Sequence, residues 1–382
     1  MLRIGVLGGG QLGRMLALAG VPLGVCFVFF DPIADASAGH VGELIVGKYD
    51  DRSALDRFVE AVDVVTYEFE NVPTAAAEYV ASRRPVWPPV GTLHIAQDRL
   101  REKQFFNALG IPTAPFAAVD SKESLRAAVT EIGAPGIVKT RVLGYDGKGQ
   151  VRLASLDDVD SAWDELAGAF DGVPLIYEGF VAFERELSIL SVRAQTGEIV
   201  HYPLVANVHH EGILRLSTAP APAVDAAVQA TAESYATRVL RELDYVGVLA
   251  IELFAANGTL VANEMAPRVH NSGHWTIEGA ETSQFENHVR AVCGLPLGAT
   301  SMVGHAAMLN LIGTIPPLPA LLNVADAHVH LYGKREAPRR KVGHVTVRAA
   351  SAERVQDRVA ELRRLIASAV PVGEAAVSAT FA

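Results

Sequence analysis

The chain has 382 residues, half of them hydrophobic and a fifth charged, which is the composition of a globular protein with two or three domains. Its 33 basic and 43 acidic residues give a formal net charge of −10, which excludes bulk attraction to nucleic acid or to an anionic membrane. Any phosphate group must therefore be bound in a local basic pocket.

The cysteines and the N-terminus indicate a compartment. Cys26 and Cys293 lie in separate apolar contexts without the spacing of a metal site or a disulfide framework, so we predict two buried free thiols. The first residues run directly into a predicted strand, and no apolar run is long enough to span a bilayer. We therefore expect a cytoplasmic protein.

Apolar strands alternate with helices in about the first 95 residues. Strands are predicted at residues 2–7, 25–30, 44–46 and 62–67, with helices at 14–19 and 55–61. This alternation predicts an open parallel sheet in an α/β domain. The proline-rich residues 85–89 mark the end of that domain.

The pattern changes from residue 98 onwards. Helices are predicted at 98–109, 223–242 and 352–368, and strands at 136–139, 150–153, 175–178, 185–192, 246–254 and 259–263. Asn257 and Gly258 form a strong hairpin-turn signal between the last two strands. We predict an antiparallel α+β region here, followed after the prolines at 316–319 by a small β-rich piece.

A first glycine motif lies at the start of the chain. Gly8, Gly10 and Gly13 fit the GxGxxG pattern between a strand and a helix, and Asp31 ends the next strand. Such glycines let a helix N-terminus approach a pyrophosphate. Taken alone, the motif favours a dinucleotide and an NAD-dependent dehydrogenase, but another phosphate ligand or a purely structural turn fits the same residues.

A second glycine-rich segment follows the strand lysine Lys139. It consists of Gly144, Tyr145, Asp146, Gly147, Lys148, Gly149 and Gln150. A lysine beside a flexible glycine loop can cover a phosphate chain, with backbone N–H groups as donors. The P-loop and protein-kinase signatures are both missing from the sequence. The alternative is a solvated hairpin tip.

Two acids interrupt the apolar strands of the later hairpin. Glu252 and Glu264 would repel each other on adjacent strands unless a cation lay between them, and an unpaired buried carboxylate is costly. Hard oxygen ligands suit Mg²⁺, which usually also binds substrate phosphates, and Asn263 adds a neutral oxygen. The alternative is that both acids form salt bridges, one of them to Arg268.

The order of these features resembles the ATP-grasp superfamily: a strand lysine, a glycine-rich lid, a hinge acid and paired acids later in the chain. Residues 8–13, 67–71, 144–150, 263–276 and 340–344 narrow the resemblance to the 5-(carboxyamino)imidazole ribonucleotide synthases, over essentially the whole chain. The resemblance implies a mixed α/β and α+β class with an ATP-grasp fold. Its expected domains are a Rossmann-like pre-ATP-grasp domain at 1–97, an ATP-grasp domain at 98–300 with a lid at about 115–182, and a small β-rich domain at 301–382.

The resemblance also implies an activity. ATP and bicarbonate would carboxylate 5-aminoimidazole ribonucleotide through carboxyphosphate, giving 5-(carboxyamino)imidazole ribonucleotide, ADP and phosphate in de novo purine biosynthesis. ATP would be the co-substrate and Mg²⁺ the metal. The expected assembly is a homodimer, and the expected partners are these small molecules, without nucleic acid or membrane.

Residue roles follow from the same resemblance. The nucleotide set is Arg99, Lys139, Gly144, Tyr145, Asp146, Gly147, Lys148, Gly149, Gln150, Glu178, Gly179, Phe180, Val181, Glu186, His209, Asn263 and Glu264, with Glu252 and Glu264 as metal ligands. The catalytic set is Arg268, His270, Asn271 and Asp146, the first three for bicarbonate. The ribonucleotide set is Gln11, Glu70, Tyr145, Lys334 and Arg340, and the sequence leaves open whether Arg339, Arg340 or Lys341 holds the phosphate.

Two other activities stay open. A formate-using glycinamide ribonucleotide transformylase of the same superfamily would share the ATP site but not the run at residues 271–276. The dehydrogenase would leave Glu252, Glu264 and the second glycine segment unexplained.

Overall fold

The structure is a computed structural model that describes residues 1–142, 144, 149–170 and 172–369. Three sheets organise these residues: one parallel and two largely antiparallel. The predicted combination of an α/β unit with α+β units is therefore confirmed.

The N-terminal unit is a parallel sheet with helices. Its elements are β1 (Arg3–Leu7), α1 (Gln11–Gly20), β2 (Cys26–Asp31), β3 (Glu43–Val46), α2 (Arg52–Glu60), β4 (Val64–Tyr67), α3 (Thr74–Ala81) and α4 (Val90–Ala96). The strands pair in parallel in the order β3-β2-β1-β4. Because β1 is central, the turn between β1 and α1 lies beside the end of β4, and residues 68–71 follow that end.

A small antiparallel sheet comes next. Its region contains α5 (Arg99–Ala108), β5 (Phe116–Val119), α6 (Lys122–Ile132), β6 (Gly136–Thr140), β7 (Gln150–Leu153), α7 (Val159–Ala169) and β8 (Leu175–Gly179). The strand order is β5-β8-β6-β7. Lys139 on β6 pairs in register with Gln150 on β7, so the second glycine segment connects these two strands. Asp98 caps α5 by accepting hydrogen bonds from the backbone of Leu100 and Arg101.

The largest sheet is formed by the later strands. Its elements are β9 (Arg185–Arg193), β10 (Ile199–His201), β11 (Val205–His210), β12 (Ile213–Ala219), α8 (Ala226–Glu242), β13 (Gly247–Ala256), β14 (Thr259–Ala266), α9 (Thr276–Gly279), α10 (Gln284–Val292), β15 (His305–Ile312), α11 (Leu318–Leu322), β16 (Ala327–Leu331), β17 (Lys341–Ala349) and α12 (Ala352–Ala369). Within the described residues the order is β14-β13-β9-β11-β12-β15-β17-β16, with β10 paired to β9. The predicted hairpin turn is present, and both Asn257 and Gly258 have positive φ.

The C-terminal strands β15, β16 and β17 belong to the large sheet and do not form a sheet of their own. β15 pairs with β12, and β17 and β16 follow β15, so these strands extend the central sheet. A shared core then joins this sheet to the N-terminal unit, because α1 packs against α10 and their apolar residues belong to one buried cluster. This packing brings the start of α1 close to the strands that carry the predicted site.

Two smaller expectations have different outcomes. Cys26 is exposed and Cys293 partly buried, both as free thiols, so the prediction that both are buried was wrong for Cys26, at the exposed start of β2. None of the helices in the described ranges is long and apolar enough to cross a bilayer.

Candidate active site

One cavity of about 490 Å³ lies where the N-terminal unit, the small sheet and the large sheet meet. Its lining contains many residues that the sequence assigns to different reactants. They are Gln11, Glu70, Arg99, Lys139, Gly144, Gln150, Glu186, His209, Glu252, Asn263, Glu264, Arg268, His270 and Asn271. Tyr145, Asp146, Gly147 and Lys148 lie outside the described residues, so their predicted roles stay predictions.

The strand lysine and the hinge acid form an ion pair beside the cavity. Lys139 Nζ lies 3.0 Å from Glu178 Oε2, and a second lysine, Lys103 from α5, lies 3.2 Å from the same oxygen. Burial opposes ionisation of Glu178, but the charges of Lys139 and Lys103 outweigh it and lower its pKa to about 2. Burial lowers the pKa of Lys139 despite this carboxylate. Glu178, Lys139 and Lys103 therefore form a cluster of charged side chains that is largely shielded from water.

The hinge that follows Glu178 uses most of its backbone donors within the protein. Gly179 N–H donates to the Pro115 carbonyl at 2.9 Å, and Phe180 N–H donates to the Pro135 carbonyl at 3.0 Å. Among the described residues, the Val181 N–H has no such partner. Phe180 itself is exposed, with Arg152 over its ring.

An apolar wall of the cavity was missed from the sequence. Phe183 and Phe254 stack with their ring centroids 4.6 Å apart and 9° between their planes, and both line the cavity. Phe254 lies two residues after Glu252 on β13, so the alternation of side chains in a strand puts both on one face. The two-residue spacing between Glu252 and Phe254 in a predicted strand was the sequence feature that could have placed Phe254 at the site. A flat aromatic wall in the cavity that Lys139 also lines suits a planar ring system.

Glu186 and His209, both assigned to the nucleotide set from the sequence, contact each other. His209 Nδ1 lies 2.6 Å from Glu186 Oε2, across the antiparallel pairing of β11 with β9. Burial disfavours the charged imidazole, but the hydrogen bond to Glu186 together with the negative charges of Glu252, Glu186 and Glu264 outweighs it and raises the pKa of His209. The two residues thus form one polar group on the cavity wall.

Glu252 and Glu264 face each other in register on β13 and β14. Glu264 Oε2 accepts from Arg99 at 2.8 Å, and Glu252 Oε1 lies 3.1 Å from His270 Nε2. Both acids therefore have a side-chain partner in the structure, Arg99 for Glu264 and His270 for Glu252, rather than Arg268. Burial opposes ionisation of Glu252, yet the hydrogen bond and charge of His270 lower its pKa to about 2.

The residues predicted for bicarbonate surround one corner of the cavity. Arg268 Nε donates to Glu70, and this buried pair lowers the pKa of Glu70 to about 2 although burial alone would raise it. His270 Nδ1 lies 2.9 Å from Ser272 Oγ. Asn271 Nδ2 and Oδ1 are buried without a hydrogen-bond partner among the described residues. Asn271 therefore presents a donor and an acceptor that the described protein does not use.

The residues predicted to bind the ribonucleotide phosphate have different partners. Lys334 Nζ donates to Gln11 Oε1, which joins the loop after β16 to the start of α1. Arg339 pairs with Glu211 at 2.8 Å, and Arg340 donates to the Arg335 carbonyl at 3.2 Å. Lys341 lines the cavity, whereas Arg339 and Arg340 do not.

The first glycine turn is already occupied by a side chain. Glu68 is buried and accepts hydrogen bonds from Gly10 N–H and, at 2.6 Å, from Gly13 N–H. Asp31 accepts from Gly9 N–H at 2.7 Å. A pyrophosphate would have to compete with a buried carboxylate for the same donors at the start of α1. The structure therefore contradicts the dinucleotide interpretation and, with it, the dehydrogenase.

Matches to known families agree with this geometry. Residues 1–97 match the ribonucleotide synthetase preATP-grasp domain, residues 104–285 the ATP-grasp domain, and residues 306–358 the phosphoribosylaminoimidazole carboxylase C-terminal domain.

Named relatives cover nearly the whole chain. N5-carboxyaminoimidazole ribonucleotide synthase from Pseudomonas aeruginosa is 54% identical over 96% of this chain and 99% of its own length. The crystal structure of the synthetase from Thermus thermophilus is 54% identical with a TM-score of 0.91, and covers 96% of this chain and 99% of that one. The Aspergillus clavatus synthase in complex with ADP and 5-aminoimidazole ribonucleotide is 31% identical with a TM-score of 0.88, over 96% and 98%. The chain belongs to the N5-carboxyaminoimidazole ribonucleotide synthase family of ATP-grasp ligases.

Proposed function

We propose that this chain carboxylates the exocyclic amine of 5-aminoimidazole ribonucleotide in a reaction that joins both ends of the cavity. The chain is an ATP-dependent carbon–nitrogen ligase, and its products are 5-(carboxyamino)imidazole ribonucleotide, ADP and phosphate. One observation carries the proposal: a single cavity is lined by part of the nucleotide set, including Arg99, Lys139 and Glu186, by the bicarbonate set, and by Gln11 and Glu70 of the ribonucleotide set. An intermediate formed at one end can therefore react at the other without crossing bulk water.

We assign the nucleotide to the end lined by Lys139 and the phenylalanine stack. Lys139 would contact the phosphates, since its ammonium group lies at the cavity wall beside the glycine segment. The base would lie against Phe183 and Phe254 and accept a hydrogen bond from Val181 N–H. Glu186 and His209 would hold the ribose hydroxyls. Each contact uses a group that faces the cavity or has no other partner among the described residues.

The acids fit a magnesium ion. The described part of the chain contains no group of three His, Cys, Asp or Glu residues arranged to hold a metal by themselves. Magnesium does not need one, because it binds through one or two carboxylates together with substrate phosphates. Glu252 and Glu264 are paired in register and line the cavity, so they would hold the ion. Magnesium there would neutralise charge that develops on the transferred phosphoryl group.

The chemistry at the other end begins with bicarbonate. One of its oxygens attacks the γ-phosphorus of ATP, ADP departs, and carboxyphosphate forms. Carboxyphosphate breaks down to CO₂ and phosphate, and the amine nitrogen of the ribonucleotide then bonds to the carbon of CO₂ and loses a proton. Arg268 and the unpaired amide of Asn271 would bind the bicarbonate anion. His270 would accept or donate the bicarbonate proton.

The Arg268–Glu70 pair connects this corner to the ribonucleotide. Glu70 would accept hydrogen bonds from the ribose or the aminoimidazole, so the same ion pair orients both the carbon donor and the amine acceptor. The ribonucleotide phosphate would meet Lys334 and Arg340. We add Lys341 to this set because it lines the cavity.

We further propose that the chain works as a homodimer in the cytoplasm, where nucleotide substrates are made. Exposed apolar residues on the N-terminal unit, Leu18 and Val21, support an interface there. Light scattering across a concentration series checks the assembly. A monomer at every concentration would contradict it.

The carboxylation proposal is tested by ADP release. The chain is incubated with ATP and Mg²⁺, together with either 5-aminoimidazole ribonucleotide and bicarbonate or glycinamide ribonucleotide and formate, and each component is omitted in turn. We expect ADP formation that requires bicarbonate together with the ribonucleotide. A rate of ADP formation that does not depend on bicarbonate would overturn the proposal. ADP formation that requires formate and glycinamide ribonucleotide would favour the transformylase.

A further inference from the structure

Lys103 is a buried lysine that no assignment above uses. Its side chain is 2% exposed, and it projects from α5 four residues after Arg99, on the same helix face. A lysine this buried is rare unless it is paired. Its partners therefore indicate what it does.

The partners of Lys103 belong to two other elements. Its ammonium group lies 3.2 Å from Glu178 Oε2 on β8 and donates to the Asn263 carbonyl on β14 at 3.2 Å. The preceding residue, Glu102, accepts from Met265 N–H at 2.7 Å. Two successive residues of α5 thus hold the backbone on either side of Glu264.

The two carboxylate oxygens of Glu178 have different contacts. Oε2 receives both Lys103 and Lys139, whereas Oε1 is buried without a hydrogen-bond partner among the described residues. If Lys139 alone neutralised Glu178, turning that lysine toward a phosphate would leave a buried carboxylate uncompensated. Removing one partner of a buried ion pair is strongly unfavourable for this reason.

We propose that Lys103 is a positioning residue that keeps Glu178 neutralised while Lys139 turns from Glu178 to the nucleotide phosphates. The inference rests on the proposed contact between Lys139 and the phosphates. Lys103 is fixed to the Asn263 carbonyl and cannot follow Lys139 into the cavity. Lys139 lines the cavity and its side chain is partly exposed there, so a ligand in the cavity can reach its ammonium group. One lysine is therefore the permanent counter-ion of Glu178, and the other is the exchangeable one.

The test compares binding of two nucleotide probes in the full chain by calorimetry. The probes are adenosine and an ATP analogue with a non-hydrolysable β–γ bridge, with Mg²⁺ and without bicarbonate or ribonucleotide. In Lys103→Gln we expect the dissociation constant of the analogue to rise about tenfold or more and that of adenosine to change less than about twofold, because only the analogue needs Lys139. Lys103→Arg, which keeps the charge, should recover most of the affinity. Lys122→Gln removes a partly exposed, ion-paired lysine outside the cavity lining and is the matched control.

The Glu178→Gln background gives the decisive comparison. Without the Glu178 carboxylate, no buried negative charge is left uncompensated when Lys139 turns to the phosphates. Adding Lys103→Gln should therefore cause no further loss of affinity for the ATP analogue. An equal loss in both backgrounds, or equal losses for adenosine and the analogue, would overturn the proposal. If Lys103→Gln alone does not fold, the comparison of Glu178→Gln with the double variant still decides.

The premise has its own control. Lys139→Gln should weaken the analogue and spare adenosine. Unchanged analogue affinity in that variant would refute the phosphate role of Lys139 itself. Because the assay omits bicarbonate and ribonucleotide, its outcome is separate from that of the carboxylation assay.

Discussion

Two buried carboxylates in this chain are stabilised in opposite ways. Glu68 accepts hydrogen bonds from the backbone of Gly10 and Gly13, whereas Glu178 forms ion pairs with the ammonium groups of Lys103 and Lys139. Backbone N–H groups are fixed by the fold, while an ammonium group on a flexible chain can turn to another anion. The first carboxylate therefore closes a glycine turn, and the second, as we propose, pairs with a lysine that a bound ligand can take over.

The same distinction sorts the other acids of the cavity. Glu264 is paired with Arg99 and Glu70 with Arg268, in each case through side chains that line the cavity. Acids of this kind can exchange a protein partner for a substrate or a metal. Acids bound by backbone donors serve the fold, and substitutions should separate the two groups.

The largest effect is expected at an acid with a side-chain partner. Glu264→Gln should reduce ADP formation about a thousandfold or more, because a neutral amide is a poor ligand for a metal that bridges the phosphates. The measurement is the bicarbonate-dependent rate of ADP release. Glu286→Gln, which removes an acid paired with Arg290 outside the cavity lining, is the control and should keep the rate. A rate within tenfold of the unsubstituted chain would remove Glu264 from the metal site.

A smaller and more selective effect is expected at the ribonucleotide end. Lys334→Ala should raise the KM for 5-aminoimidazole ribonucleotide by roughly 10- to 100-fold, the cost of losing one charged contact to a phosphate, and leave the KM for ATP nearly unchanged. Steady-state kinetics with each substrate varied in turn checks this. Lys48→Ala removes an exposed lysine elsewhere and should change neither constant. Equal losses for ATP and the ribonucleotide would contradict the assignment.

A substitution at the closed turn should affect the fold rather than the ligand. A Cβ atom on Gly10 would lie 2.5 Å from Glu68 Oε1, so Gly10→Ala must displace the carboxylate from the start of α1. We expect the free energy of unfolding to fall by about 1–3 kcal/mol, the usual cost of unsatisfied buried polar groups. Urea unfolding measures it, and the KM for ATP should stay constant. A changed KM for ATP without a change in stability would show that this turn serves the nucleotide.

The difference between these carboxylates also explains which residues of the site could be identified from the sequence. The strand lysine and the paired acids drew attention in the sequence because each is a polar residue inside an apolar strand pattern, where burial without a function is costly, whereas the hinge was assigned only through the family resemblance. Lys103 and Glu102 did not draw attention, because they lie in a helix rich in charged residues, where a lysine is normally solvated. Their burial depends on β14 and β8, which lie far away in sequence.

The first glycine turn shows the opposite failure. Its local pattern fits a dinucleotide site, and nothing within residues 8–13 reveals that the donors are taken. The occupant, Glu68, comes from the end of β4 and reaches the turn only because β4 pairs with β1. Strand order, which the alternation of strands and helices does not specify, decides the function of this motif.

The finest test of the comparison is the pH dependence of stability. Burial raises the pKa of Glu68 above its ordinary value of 4.5 despite its backbone donors, so the folded chain holds this proton more tightly than the unfolded chain. The two lysines lower the pKa of Glu178 from 4.5 to about 2 despite burial, so the folded chain releases that proton more readily. By linkage, Glu68 reduces stability as pH rises above about 4.5, whereas the contribution of Glu178 is lost as pH falls from about 4.5 through 2.

Urea unfolding of the unsubstituted chain, Glu68→Gln and Glu178→Gln between about pH 3.5 and 8 separates the two acids, each with a slope of at most about 1.4 kcal/mol per pH unit. The stability difference from Glu68→Gln should decrease toward high pH. The difference from Glu178→Gln should decrease toward low pH. Slopes of the same sign for both acids would mean that backbone donors and lysines stabilise a buried carboxylate alike, and the distinction between a closed turn and an exchangeable ion pair would fail.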